Sequence, residues 1–486
     1  MNTGMMRAAF GTLLLCASAT AVAEDARIAG LVFDSAVSRL GVSRIQSLEF
    51  DASGSYYQFG QAPAPELPWP EFKVDGYVAT LDFERATIHA KYHRVQVQEP
   101  GRARPYSEQT MDQFARDGMT WNLTPGPSAI PANLSERNAE LWASPQGFIK
   151  AAIAHHAKVE RFENGMTRVS FTIGGHRYEG ELNGVYDVTR VSTIMDSAVL
   201  GDTPIEFRYS GYRDFDGVRF PAFIERRVAG LPWYKLTVSD LRINTANAFE
   251  VPAEIAADPA PSMAAIEITE LAAGVLLFGG GSHNSVIVEQ RDGVVVIEAP
   301  LGEQRSAAVI AAIRGRYPGK RIKAVINTHA HFDHAGGLRT FAAEGVPIIT
   351  QARNAAYFQR AWGSPRTLNP DRLAKSRRKP AFRPFTGKLL LDDPLHPVEV
   401  HEIVGSGHND AFAMAYLPKE RLLVEADAWT PTPPGAGQPA VVNPLWINLD
   451  DNIRRLNLDV ERIAPLHGGV RTLPELRAAI SPAVTN

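Results

Sequence analysis

The sequence predicts two parts, an antiparallel β-rich domain followed by a layered α/β domain. Across residues 24–255, alternating apolar and polar runs such as Arg168–Ile173 are separated by turn sequences such as Asn183-Gly184, a pattern typical of strands joined by hairpins. Across residues 265–486, apolar strand-like runs alternate with helical segments, which indicates layered helices and sheets. Residues 256–264, rich in Pro and Ala, predict a linker between the two parts.

Composition indicates an ordinary globular chain. Its 486 residues are enough for two independent cores, and its 45% hydrophobic and 21% charged residues are typical of globular proteins. The 50 basic and 53 acidic side chains leave a net charge of −3, so nothing favours nucleic acid or an anionic membrane as a partner. We therefore expect a small-molecule substrate, and the oligomeric state stays open.

The N-terminus has the features of a secretory signal peptide. Arg7 precedes an apolar run over residues 8–22, and Ala21-Val22-Ala23 predicts cleavage after Ala23. The run is too short to span a bilayer, so we expect a periplasmic or secreted protein without stable membrane insertion; a buried N-terminal helix is the alternative. Because the only cysteine, Cys16, lies in this segment, the mature chain has no disulfide and no thiolate ligand.

Within the first domain we predict helices near Glu108–Arg116 and Pro145–His156 among the strands. The stretch Gly211–Pro221, followed by Leu236–Asn244 and Phe249–Pro252, resembles the half-barrel of periplasmic lipoprotein carriers; a generic curved sheet is the alternative. Four histidines of this domain are predicted to be surface residues rather than a second metal site: His89, His93, His155 and His156.

Within the second domain, apolar runs and helical periodicity predict the following order. The expected elements are strands Val275–Phe278, Ser285–Glu289 and Val294–Glu298, a helix near Arg305–Arg316, strand Ile322–Ile326, a helix over Gly337–Glu344, strand Pro347–Thr350 and a later helix near Asp450–Asp459.

The most informative residues follow the apolar run Ile322–Ile326, where four potential metal ligands fall within six residues. His329 and His331, two apart on an extended backbone, can face one ion. Asp333 and His334, at the entry of the next helix, can face a second ion. Imidazole and carboxylate together suit Zn²⁺ and its neighbours.

This H-x-H-x-D-H string resembles the signature of the metallo-β-lactamase superfamily, and the resemblance implies an αββα sandwich over residues 265–486. The family's remaining ligands have matches in His408 after a Gly-rich turn, Asp427 at a strand end and His467 after another short strand. The resemblance thus implies two ions, one held by His329, His331 and His408. The other would be held by Asp333, His334 and His467, with Asp427 between the two ions.

Two departures from the family pattern matter. The family usually has an Asp at the end of an early strand, where this chain has Glu298; we expect that residue to orient the metal loop from behind the ligands. His408 lacks the following Thr-x-Gly of glyoxalase II and many lactamases, which weakens the transfer of their substrate preferences. The missing thiolate argues against the cysteine-ligated subclass.

Two further segments are candidates for substrate contact. His283, in the loop Gly279–Asn284, is expected to reach the metal face and touch substrate or leaving group, or else to be purely structural. The segment Arg366–Lys388 carries eight Lys or Arg residues. It is either a solvated loop or the source of a cation that pairs with a substrate carboxylate.

The resemblance predicts an exported dinuclear zinc-dependent hydrolase in which a metal-bridging hydroxide attacks an ester, thioester, lactone or lactam. Asp333 and Asp427 are the expected catalytic carboxylates, since they partly neutralise the ions and can accept a hydrogen bond from the attacking water. Asp427 favours a site like those of glyoxalase II and the lactonases. The alternatives are a β-lactamase proper, a metal-dependent oxidoreductase of the same fold, a nuclease and a non-catalytic binding protein.

Overall fold

The structure is a computed structural model that describes residues 26–245, 249–432 and 441–481. The predicted signal peptide, residues 1–23 with Cys16, lies outside these ranges. Within them, none of the helices combines the length and the apolar character needed to cross a membrane.

Among the described residues, the first part of the chain forms one antiparallel sheet of thirteen strands, a separate two-stranded hairpin (Arg213–Phe220) and four helices. The sheet order is β6-β5-β4-β3-β2-β1-β15-β14-β11-β10-β9-β8-β7. The strands are β1 (Ser47–Tyr57), β2 (Glu71–Asp82), β3 (Thr87–Gln96), β4 (Glu108–Arg116), β5 (Met119–Asn122), β6 (Ser128–Ala129), β7 (Lys158–Arg161), β8 (Thr167–Ile173), β9 (His176–Leu182), β10 (Val188–Ser197), β11 (Gly201–Ser210), β12 (Arg213–Phe215), β13 (Val218–Phe220), β14 (Phe223–Val228) and β15 (Leu231–Ile243). The helices are α1 (26–40), α2 (Leu134–Ala143), α3 (Pro145–Ala154) and α4 (Ala253–Ala257), with 3-10 turns at Val42–Arg44 and Pro131–Asn133.

The large sheet is curved around α2. This helix contacts β3, β4 and β5 and also β10, which lie on opposite sides of the central strands β1 and β15. Irregular pairing at Asp51/Ala52 and Ala52/Gly54 of β1 adds local bends. The half-barrel resemblance stays a prediction.

A buried ionic cluster holds α2 to the sheet. Arg226, 1% exposed, lies 2.6 Å from a carboxylate oxygen of Glu136 and 3.4 Å from one of Glu140. The hydroxyls of Tyr77 and Tyr234 each donate to Glu140 Oε1 at 3.0 Å. Because Arg226 is paired with Glu136 and Glu140, the burial of these charges does not carry the full cost of an isolated ion.

The predicted helix at Glu108–Arg116 is wrong: this segment is strand β4. It pairs with β3 from Val95 opposite Glu108 to Ile88 opposite Ala115, and with β5 on its other edge. Pairing on both edges satisfies the backbone and outweighs a weak helical preference. The helix predicted at Pro145–His156 corresponds to α3, which ends at Ala154.

The second part of the chain contains two sheets. The first has seven strands in the order β16 (Glu267–Ala272), β17 (Val275–Gly279), β18 (Ser285–Gln290), β19 (Gly293–Ile297), β20 (Arg321–Ile326), β21 (Ile348–Gln351) and β22 (Phe382–Phe385). The second has six, in the order β23 (Lys388–Leu391), β24 (Val398–Ile403), β25 (Phe412–Leu417), β26 (Leu422–Glu425), β27 (Arg462–Pro465) and β28 (Arg471–Thr472). The helices are α5 (Glu303–Arg316), α6 (Phe332–Ala335), α7 (Leu338–Ala343), α8 (Ala352–Ala361), α9 (Arg372–Ser376), α10 (Pro444–Arg455) and α11 (Leu473–Ile480).

The two sheets pack face to face with helices outside, which confirms the predicted αββα sandwich. Alternate residues of β17 point to opposite layers. Val275 and Leu277 join the core between the two sheets. Leu276 and Phe278 join the core between the first sheet and helices α5, α7 and α8. This period of two follows from the strand pleat. A further core, which includes Leu449 of α10, lies on the outer face of the second sheet.

Helix α10 begins earlier than the predicted Asp450–Asp459. The N-terminal boundary of α10 is set by Asn443, whose side chain accepts a hydrogen bond from Leu445 N. Pro444, the next residue, lies in the first turn, where proline is well tolerated.

The loops at one edge of both sheets come together. Strands β19 and β20 are parallel, and β26 and β27 are parallel, so each pair ends at a common edge. Backbone hydrogen bonds cross between the sheets at this edge, from Asn284 N to Leu466 O at 2.8 Å and from Ala413 N to Thr328 O at 2.9 Å. The predicted site residues lie in these loops.

The two parts of the chain are joined through Arg366, at the start of the basic segment. Its guanidinium donates to the carbonyl oxygens of Ser197, Ala198 and Val199 at 3.0–3.1 Å. Arg366 is buried and therefore contributes to the contact between the domains, not to a solvated surface.

Candidate metal centre

The structure brings the seven predicted ligand residues together at the shared edge of the sandwich. Each lies just beyond the carboxyl end of a strand: β20, β24, β26 or β27. The residues are His329, His331, Asp333, His334, His408, Asp427 and His467. The predicted surface histidines of the β-rich domain are in none of the groups of potential ligands that the described residues form.

The first group consists of His329, His331, His408 and Asp427. The Nε2 atoms of His329 and His408 are 3.2 Å apart, and each is also 3.2 Å from Asp427 Oδ2. In a tetrahedral zinc site with bonds of about 2.0–2.1 Å, neighbouring ligand atoms are about 3.3 Å apart. The three atoms therefore form a triangle of the size of one face of a zinc tetrahedron.

The second group consists of His283, Asp333, His334 and His467. The Nε2 atoms of His334 and His467 are 3.1 Å apart, and His283 Nε2 is 3.3 Å from Asp333 Oδ2. Asp427 connects the groups, because its Oδ1 lies 3.1 Å from His467 Nε2 and its Oδ2 lies 2.9 Å from His334 Nε2. His283, expected from the sequence to touch substrate, thus lies among the potential ligands.

Hydrogen bonding leaves the His329 Nε2 lone pair directed at the site. Thr328 donates its hydroxyl proton to Glu298 Oε2, so its oxygen accepts from His329 Nδ1 at 3.0 Å. Burial, with the nearby charge of His334, lowers the pKa of His329 to about 4. The ring is therefore neutral near pH 7, and its unprotonated nitrogen faces the Asp427 carboxylate, an arrangement that fits a cation between them.

His331 has the opposite tautomer. Its Nε2 lies 2.9 Å from Ala62 O, and a carbonyl only accepts, so this nitrogen carries the proton. Its Nδ1 is buried and has no hydrogen-bond partner in the described part of the chain. Burial, with the neighbouring His329 and His408, lowers the pKa of His331. An orphaned lone pair in the first group is what a metal ligand requires.

Glu298 supports both groups from behind. It is completely buried, and its Oε1 accepts from Asn327 Nδ2 at 3.1 Å. Its Oε2 accepts from Thr328 and, at 3.2 Å, from His334 Nδ1. Through these contacts Glu298 orients a histidine of each group, the supporting role expected from the sequence.

Two carboxylates of the site, those of Glu298 and Asp427, stand on unusual backbone. Glu298 has φ 76° and Asp427 has φ 57°, left-handed conformations that cost a non-glycine residue about 1–3 kcal/mol.

The two aspartates of the site, Asp427 and Asp333, both have lowered pKa values. Although burial opposes it, His334 and His408 hold the pKa of Asp427 well below its usual range. The hydrogen bond with His283 and the charge of His334 likewise lower the pKa of Asp333 against burial. Both carboxylates are therefore ionised and provide negative charge for cations.

Part of the second domain is similar to known proteins. The model of the metallo-beta-lactamase superfamily matches residues 278–465. A metallo-beta-lactamase type 2 from Elizabethkingia meningoseptica is 27% identical over 141 residues, 29% of this chain and 50% of the relative. The α subunit of a 2,4-dinitroanisole O-demethylase from Nocardioides sp. (strain JS1661) is 25% identical over 189 residues, 38% of this chain and 53% of the relative. The chain thus spans about half the length of the curated relatives it matches.

Solved structures give weaker likenesses. A metallo-beta-lactamase from Pontibacter korlensis is 18% identical with a TM-score of 0.35, over 44% of this chain and 97% of that one. A metallo-beta-lactamase from Pseudomonas aeruginosa in a mono-zinc form is 17% identical with a TM-score of 0.34, over 45% of this chain and 95% of that one.

Proposed function

We propose that this protein is a hydrolase that binds two zinc ions, because residues 278–465 match the model of the metallo-beta-lactamase superfamily. Its substrate is an ester, thioester, lactone or lactam. The observation that carries the proposal is the pair of donor groups that share Asp427, with ring nitrogens of His329 and His331 free to bind metal.

The proposed ligands divide between the two groups. His329, His331 and His408 would hold the first ion, and Asp427 would be shared by the two groups. Asp333, His334 and His467 would hold the second ion, and the position of His283 Nε2 offers a fourth donor there.

Two bound zinc ions supply a hydroxide nucleophile near neutral pH and an electrophile for a carbonyl oxygen. Asp333 and Asp427, both ionised, accept the hydrogen bond that orients the attacking water. His334 and His329 are kept in place by the Glu298 network, so the donor geometry is built before substrate arrives. The reaction needs no serine or cysteine nucleophile.

The proposal is tested by metal analysis combined with a hydrolysis panel. Purified full-length protein should hold two zinc equivalents, and it should hydrolyse at least one of a lactone, a thioester, a simple ester and a β-lactam. Chelation should abolish that activity and added zinc should restore it. Full activity in the chelated protein, or two bound ions without hydrolysis of any substrate, would exclude the proposed reaction.

The names of two relatives suggest two alternative functions. The Elizabethkingia relative is named a β-lactamase, so exclusive turnover of the β-lactam would favour a β-lactamase proper. The Nocardioides relative is named an O-demethylase subunit, so an aryl methyl ether belongs in the panel. An oxygen electrode separates hydrolysis from a metal-dependent oxidation, which would consume oxygen. We also propose export, which amino-terminal sequencing tests by looking for a mature chain that begins at Glu24.

His283→Ala is expected to weaken binding of the second ion at least about 10-fold while the first ion binds normally. The reason is that His283 Nε2 faces the second group, and its Nδ1 is held by Ser282 Oγ at 2.9 Å. The measurement is zinc competition against a chromophoric chelator. His155→Ala, at an exposed histidine of the β-rich domain, is the matched control; equal second-ion affinity in both variants would remove His283 from the ligand set.

A further inference from the structure

We propose that the β-rich domain forms part of the metal centre and positions its ligands through the loop 58–70, which joins β1 to β2. The inference rests on the proposed function, because the residues that this loop holds are the proposed metal ligands. It gives the first domain a role that neither the family match at residues 278–465 nor the sequence motifs assign.

The loop lies directly against the ligand-bearing turn. Gly60 O accepts from Phe332 N at 3.2 Å, and Ala62 O accepts from His331 Nε2 at 2.9 Å. Gly60 has φ 78°, and a Cβ at this position would lie 2.7 Å from the Phe332 ring. Only glycine combines this backbone with this close approach. The first domain therefore contacts the backbone and a ligand imidazole of the same turn.

Ala62 O sets which nitrogen of His331 can bind metal. A metal-binding histidine ordinarily donates its other ring N–H to a carbonyl or carboxylate, which fixes tautomer and ring orientation. In this chain the carbonyl comes from the other domain. The same oxygen also accepts from Asn409 Nδ2 at 3.1 Å, so the carbonyl is itself held in position beside the first group.

Gln61 provides the corresponding contact for the second group. Its Nε2 donates to Asp333 Oδ1 at 2.9 Å. That bond leaves Asp333 Oδ2 directed toward His283 Nε2 at 3.3 Å and His334 Nε2 at 3.8 Å. Gln61 is therefore a positioning residue, because it determines which carboxylate oxygen is available to the ion.

A second segment of the β-rich domain covers the loop that carries His408. Arg102 makes two hydrogen bonds to the Asp410 carboxylate at 2.7 and 3.0 Å. A Cβ at Gly407 would lie 1.7 Å from Ala103 O, so the two backbones are in direct contact. The two histidine-bearing loops of the first group are thus held from outside their own domain.

The test compares two Gln61 variants of the full-length chain by zinc and cobalt titration. In Gln61→Leu the second equivalent of metal should bind about 10–100-fold more weakly, because this is the usual cost of losing a residue that positions a metal ligand. The first equivalent should bind with an affinity within about twofold of wild type. Gln61→Met keeps the length of the side chain but has no N–H to donate to Asp333, so it should weaken binding of the second equivalent to a similar degree. Visible absorption of the cobalt-loaded variants reports ligand geometry without turnover.

Gln58→Leu is the matched control, because Gln58 lies in the same loop and its side chain makes no hydrogen bond among the described residues. Wild-type affinity for the second equivalent in Gln61→Leu or Gln61→Met would overturn the inference and leave the proposed function standing. Wild-type protein that binds two ions and hydrolyses none of the panel would overturn the proposed function alone.

Discussion

Asp427→Asn should no longer bind the second metal ion, and its kcat/KM should fall at least about 100-fold. Substitution of a residue that only supports a metal ligand costs about 10–100-fold, so a shared ligand should cost at least the upper end of that range. The carboxylate oxygens of Asp427 lie within 3.2 Å of nitrogens of four histidines. Asparagine has the same size but no charge, and its amide group brings N–H bonds into a space where lone pairs converge. The measurements are zinc content after dialysis and steady-state hydrolysis.

The matched control is Asp451→Asn, an exposed carboxylate on the outer helix α10, which should retain two ions and wild-type kcat/KM. Two tightly bound ions in Asp427→Asn, with kcat/KM within about threefold of wild type, would contradict the bridging position. Loss of the first ion with the second ion retained would also contradict the prediction.

Glu298→Ala should lower the free energy of unfolding of the metal-free protein by on the order of 3–5 kcal/mol. It should also lower the affinity for each of the two metal ions about 10–100-fold. The substitution leaves the hydroxyl of Thr328, the amide of Asn327 and Nδ1 of His334 without their acceptor in a fully buried setting. Each such group costs about 1–3 kcal/mol. Urea denaturation with chelator present measures the stability, and chelator competition measures the affinities.

The effect on both ions distinguishes this variant from Gln61→Leu, which should affect only the second. Glu267→Ala, at an exposed position of β16, should change the free energy of unfolding by less than about 0.5 kcal/mol. Unchanged affinity for both ions in Glu298→Ala would show that the buried network is dispensable for metal binding.

Much of the second domain was predictable because its information is local. The H-x-H-x-D-H string and the strand before it are contiguous, and alternating burial in strands such as β17 follows directly from residue pattern. The resemblance to the metallo-β-lactamase superfamily then pointed to His408, Asp427 and His467 at later strand ends. Their meeting in space follows from the parallel pairing of strands whose carboxyl ends share an edge.

What the sequence could not reveal depends on contacts between distant segments. The role of Ala62 is carried by a backbone carbonyl, which has no side-chain signature, and Gln61 meets Asp333 across 272 positions. Segment Glu108–Arg116 was predicted as a helix, but it is a strand because it pairs with a neighbouring strand on each edge. Such pairing depends on distant partners and cannot be read from the segment itself. His283 sits in a Gly-rich loop with no characteristic spacing, so only the geometry places it beside Asp333.

The contact between Ala103 O and Gly407 limits how this protein can be rearranged. A second domain cut out at residues 256–264 would keep all seven proposed histidine and aspartate ligands yet lose the carbonyl and amide groups that cover them. A chimaera that joins a different leading domain to residues 265–486 would have to carry both covering segments with it. The two halves therefore have to be engineered as a matched pair.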